Sequence, residues 1–205
     1  MRTKQQVVAE FRCSEILQAA RKVFSKRGFR DASVGRYRRR RGRRQGHHLQ
    51  LFPFKEGIYL GALSQGVQEL AELTERKMDF AKNIRDKIEA FIRTRLEFAQ
   101  ANREFFAVYH SEFGNLIHPA ALNQNFRSLY RQQLERLVNM LREAAERGEL
   151  SDVSPETLAV MIYESTRGLM LRRSLGWSTR TIDEQVSTLM RILWDGAGVR
   201  AHVDC

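Results

Sequence analysis

The sequence predicts an all-α protein. Only three prolines occur in 205 residues, so few helices need be interrupted. Alternation at period two is scarce, whereas apolar residues recur at i, i+3 and i+4 along most of the chain. That length allows one large or two small domains with a proper core.

A first helix is expected from roughly residue 9 to 27, with Phe11, Ile16, Leu17, Ala20, Val23 and Phe24 inward and Gly28 as its stop. Ser33 is a suitable N-cap for a short helix after Ala32. A long helix then begins at residues 54–55 and reaches the middle seventies, with Ile58, Leu60, Leu63, Val67, Leu70 and Leu73 inward. The next starts at an Asn83 cap and turns Ile84, Ile88, Phe91, Ile92 and Leu96 to the core. A shorter helix runs from Arg103 to Phe113. Another spans about 120 to 147 and ends at Gly148. Ser154-Pro155-Glu156 combines an N-cap with proline at the first helical position. The helix it opens is apolar on much of its circumference, so it needs more than one partner face. Thr181 and Glu184 form a capping box for the last helix, whose stripe is Ile182, Val186, Leu189, Met190 and Leu193.

Charge is unevenly distributed. The formal net charge is +11, but seven of the 35 basic residues are arginines between positions 36 and 44. Without them the excess of basic over acidic residues falls to four, so the total pI is a weak argument for nucleic-acid binding. Cys13 and Cys205 lie far apart and form no metal or redox spacing, as expected of a reduced cytoplasmic protein. No apolar signal core opens the chain, and no run of about eighteen apolar residues predicts a membrane span. His47 and His48 are adjacent and point to different helix faces, while His110, His118 and His202 lack partners at ligand spacing. With no H-E-x-x-H, phosphate loop or dinucleotide fingerprint, the sequence argues against an enzyme and implies no cofactor or metal.

EILQAARKVFSKRGF, the Ser33-Val34 start and Phe52 before Lys55-Glu56 resemble, in order and spacing, the TetR family of bacterial transcription regulators. The C-terminal helices resemble that family in layout. The resemblance implies about nine helices: a three-helix helix-turn-helix DNA-binding domain over 9–55 and a ligand-binding and dimerisation bundle over 56–200. It implies DNA contacts at Ser33, Arg43, Arg44, Gln45, Gly46, His47, His48, Leu49, Leu51 and Lys55. It also implies a mostly apolar effector cavity, for which Phe98, Phe105, Phe106, Tyr109, His110, Phe113, Phe126, Tyr130, Met161 and Tyr163 are the candidates. The terminal helix pair would pair with a second copy through Leu158, Ile162, Leu169, Val186, Leu189, Met190 and Leu193. The partners implied are a double-stranded DNA operator, an apolar small-molecule effector and a second copy of the chain, with no membrane.

Residues 36–52 keep the family's spacing and lose its chemistry. Gly42, Gly46 and Phe52 fit the pattern, but arginines occupy the alanine and valine positions, and Leu49 and Leu51 replace phosphate-contacting tyrosines. Arginine codons of the CGN kind, read one base later, become GNN codons such as those of alanine and valine. Shifting the whole run gives Asp-Ile-Ala-Ala-Ala-Ala-Gly-Val-Ala-Lys-Gly-Thr-Ile-Tyr-Asn-Tyr, the family pattern, through two compensating single-base shifts near Gly35 and Phe52. A genuine arginine-rich phosphate-gripping motif is the second reading, and a solvated basic loop the third. As written, Arg43 falls at an inward position, where an unpaired charge costs several kcal/mol. The chain as written is therefore expected to bind DNA weakly and with a steep salt slope. Each arginine of 36–44 replaced should flatten that slope by about 1 in a log–log plot of affinity against salt. Selective binding that persists at physiological salt would contradict this.

Overall fold

The computed structural model describes residues 4–31, 55–114, 121–150 and 153–197. Seven helices occupy them: α1 (Lys4–Asp31), α2 (Lys55–Asp79), α3 (Ile84–Ala101), α4 (Arg103–Gly114), α5 (Ala121–Glu146), α6 (Pro155–Ser174) and α7 (Ile182–Ala197). The two further short helices expected between 33 and 52 lie outside the described residues.

The chain divides into two compact units. The first contains residues up to Gln68 together with Asn102–Arg127, and the second contains Glu69–Ala101 and everything from Ser128 onward. In the first unit α1 packs along α4, burying Ile16, Leu17, Ala20 and Phe24 of α1 and Phe105, Phe106, Val108 and Tyr109 of α4. Arg21 of α1 is buried too. Its Nε donates to the Ala62 carbonyl of α2 at 3.2 Å, and its guanidinium lies over the Phe105 ring. Gly66 of α2 leaves the room this ring occupies: a Cβ there would stand 2.3 Å from two of its carbons.

The second unit is built around α3, which packs against both α6 and α7. Ile84, Ile88, Phe91, Ile92 and Leu96 are all buried, as their spacing predicts. They meet Leu158, Ile162 and Met170 of α6 and Val186, Leu189, Met190 and Leu193 of α7, all likewise buried.

Helix ends follow the expected chemistry. The Asp86 amide donates to Asn83 Oδ1 at 2.9 Å, and the Thr157 amide to Ser154 Oγ at 3.2 Å. The Thr181 amide donates to Glu184 Oε2 at 2.8 Å while the Glu184 amide returns a bond to Thr181 Oγ1 at 3.1 Å, completing the capping box. Gly148 and Gly176 stop α5 and α6 at φ +72°. There the Glu149 amide reaches back to Ala144 O and the Trp177 amide to Arg172 O.

Two expectations need correction. Gly28 does not end α1, which continues to Asp31. Glycine inside a helix costs only about 1 kcal/mol and stops it where the chain turns left-handed. On α2, Leu60 and Leu73 are half-buried, whereas Tyr59, Ala62, Ala71 and Thr74 are buried; the inward stripe is rotated from the one drawn through the leucines.

Glu149, Glu156 and Glu184 carry carboxyls held below their ordinary value of 4.5. For Glu149 the leading cause is the Arg147 guanidinium, followed by the Ile84 amide. For Glu156 it is its own amide and then Arg142, and for Glu184 the Thr181 amide and then Arg180. Because the folded values lie below the unfolded ones, this stabilisation is present above pH 4.5 and is lost as pH falls through the folded values. Thermal melts should therefore weaken on acidification below that point, and E184Q should flatten the decline; an unchanged decline would count against the cap. In urea titrations T181A should cost about 1 kcal/mol. G66A, which drives a methyl into the Phe105 ring, should cost about 1–3 kcal/mol.

Candidate ligand site

An arginine stands in the inward stripe of α3. Arg95 follows Phe91 by four residues and Ile92 by three, so its Cβ shares their face. Its side chain is 1% exposed. The guanidinium carbon sits 4.6 Å from the Tyr163 ring centroid and 5.0 Å from that of Phe91, within cation–π range of both. Tyr163 of α6 also meets Tyr130 of α5 edge-on, with centroids 5.2 Å apart.

Beside these rings lies a polar chain. Tyr130 Oη donates to Glu164 Oε1 at 2.9 Å, and Arg167 pairs with the other oxygen of that carboxylate. Burial, followed by the bond to Glu164, pushes the Tyr130 phenol above its usual value, so it remains a hydrogen-bond donor throughout the physiological range. Phe91 also lines a cleft with Ala71, Thr74, Glu75, Met78, Gln133, Arg136, Leu137 and Met140. Arg136 and Glu75 form an ion pair among these residues. The cleft is largely apolar and carries one charge of each sign.

The ten residues expected around a ligand divide between the two units. Phe105, Phe106, Tyr109 and His110 form one ring cluster in the first unit, with neighbouring centroids 4.9–5.7 Å apart. Tyr130 and Tyr163 come together in the second unit, where Phe98 is buried on α3. Phe113 belongs to α4 and Phe126 to α5, and their side chains lie outside the described residues. Met161 is 53% exposed on α6 and is not among the residues that line the cleft. Phe91, Met78 and Met140, which line the cleft, and the buried Arg95 were not among the ten candidates. For Arg95 the signal was present, a basic residue in register with an apolar stripe.

The expected dimer residues also need correction. Leu158, Ile162, Val186, Leu189, Met190 and Leu193 are buried within the protomer, and Leu169 is half-buried. The first six are taken up by the chain's own core. The outward faces of the same helices carry Val160, Met161 and Ile192, at 42%, 53% and 62% exposure. Of the expected DNA contacts only Lys55 lies among the described residues, as the first residue of α2, half-buried. Ser33, Arg43, Arg44, Gln45, Gly46, His47, His48, Leu49 and Leu51 lie outside them, as does the proposed shift in reading register. Among the described residues no helix is long and apolar enough to cross a membrane.

Residues 84–202, more than half of the chain, match the family model described as BetI-type transcriptional repressor, C-terminal. No curated protein sequence matches the chain. Among solved structures, the fatty acid degradation regulator FadR from Bacillus halodurans superposes with TM-score 0.77 at 16% identity, covering 91% of this chain and 99% of its own. FadR from Bacillus subtilis in complex with stearoyl-CoA gives 0.76 at 16%, covering 89% and 98%. A Saccharomonospora viridis protein in complex with choline gives 0.74 at 15%, covering 93% and 100%. At these identities the structures share the fold. The C-terminal match reaches further, and with it the chain belongs to the TetR family of transcription regulators, a family of regulators and not of enzymes.

Proposed function

We propose that the protein is a ligand-responsive repressor that binds a near-palindromic operator as a homodimer and releases it when an effector binds. The reading is carried by the BetI-type C-terminal match over residues 84–202. It is supported by the apolar outer faces of α6 and α7, where Val160, Met161 and Ile192 stand exposed. Two copies joined there by a twofold axis would present two reading heads to successive major grooves. The effector would act by differential affinity for two head spacings, shifting the population between them. An amphiphilic effector with an apolar body fits the cleft lined by Met78, Phe91, Leu137 and Met140. Relatives of the same fold were solved with stearoyl-CoA and with choline.

The second reading, a non-specific nucleic-acid binder, rests on the seven arginines of 36–44. Light scattering on the intact chain should give a mass twice that of one copy. M161E combined with I192E should give a monomer whose unfolding free energy changes by less than about 0.5 kcal/mol, because both positions are exposed. A variant carrying the shifted-register segment at 36–51 should enrich inverted repeats from random duplexes. A monomeric wild type, or indiscriminate recovery of DNA by that variant, would contradict the proposal.

A further inference from the structure

We infer that Gln133 is the specificity-determining residue of the cleft, and that the effector carries an uncharged hydrogen-bonding group on an apolar, ring-bearing body. The inference rests on the ligand-responsive reading above and adds the chemistry by which this cleft would choose its ligand.

The polar side chains that line the cleft are those of Thr74, Glu75, Gln133 and Arg136, and all but one are committed elsewhere. Thr74 donates its hydroxyl to the Leu70 carbonyl at 2.7 Å. Glu75 and Arg136 form an ion pair, each about half in water. Gln133 remains. On α5 it precedes Arg136 by three residues, Leu137 by four and Met140 by seven, so it shares their face. It is half-buried there, and among the described residues its carboxamide has no hydrogen-bond partner.

A carboxamide both donates and accepts, so it answers a hydroxyl, a carbonyl or a second amide. It carries no charge, and the two charges of the cleft lining cancel. An ammonium or carboxylate would give up its hydration for a site with no net charge to replace it, whereas a neutral polar group gives up far less. The rest of the wall selects the body of the ligand. Met78, Met140 and Phe91 present two polarisable thioethers and a ring, surroundings against which an aromatic ring packs well. The cavity is about 30 Å³ as it stands. The unbranched side chains of Met78 and Met140 are the ones that would swing to admit a ring.

The test uses the intact chain labelled with carbon-13 at its methionine methyls, with the Met78 and Met140 signals assigned through M78L and M140L. The probes share one ring and differ in its substituent: benzamide, toluene, benzoate and benzylammonium. Benzamide at millimolar concentration should shift the Met78 and Met140 signals and leave that of Met161, exposed on α6, in place. Titration should give benzamide a Kd about three- to tenfold below that of toluene, with benzoate and benzylammonium weaker than benzamide. Q133L should erase the advantage over toluene while toluene still binds, and Q133E, of nearly the same size, should turn the preference to benzylammonium. Should either variant fail to fold, the ranking of the four probes on the wild type decides alone. Tighter binding of benzoate or benzylammonium to the wild type, equal binding of all four, or a Q133L variant that still prefers benzamide overturns the role of Gln133 and leaves a ligand-binding cleft. If none of the four moves either methyl, the cleft is not an effector site, and the ligand-responsive reading loses its site together with the inference.

Discussion

The second unit depends on the burial of one helix from more than one side. α3 packs against α6 and α7, and Phe91 on its inward face also lines the cleft shared with α2 and α5 residues. Each buried branched or aromatic side chain on that face is worth about 1.5–3 kcal/mol against exposure. Placing a guanidinium in the same stripe sacrifices part of that gain, because a charge loses its hydration on burial. Stacking on two aromatic faces returns only about 0.5–2 kcal/mol for each ring.

The same economy explains why α6 and α7 have two apolar sides. Their inner faces are satisfied within the protomer by Leu158, Ile162, Val186 and Leu193, while Val160, Met161 and Ile192 face outward. An amphipathic stripe read from sequence gives one direction in which a helix wishes to be buried. It does not say whether its own chain or a second copy covers it. The residues first assigned to a partner were the better packed ones, and these the protomer keeps for itself. What remains outside is a smaller and more scattered set, which is why the periodicity of α7 concealed it.

Much of the architecture was legible because local signals agreed with one another. The Asn83, Ser154 and Thr181 caps and the Gly148 stop all take the roles their residue types predict. Gly28 was misread because its effect depends on backbone angles that sequence alone does not supply. The rotation of the α2 stripe was hidden by small residues: Ala62, Gly66 and Ala71 contribute little hydrophobicity yet mark the closest approaches. At the site, the aromatic pair Tyr130 and Tyr163 was anticipated by type. Arg95 was passed over because a basic residue is ordinarily counted as surface. Its register with Ile88, Phe91 and Ile92 was the evidence that it is not.

A crystal structure of the intact chain tests the central claim most directly. The account predicts α3 buried against α6 and α7, and a twofold seam in which Val160, Met161 and Ile192 meet a second copy. Those three residues left facing solvent, or α3 uncovered on the side that α6 and α7 now occupy, would contradict it.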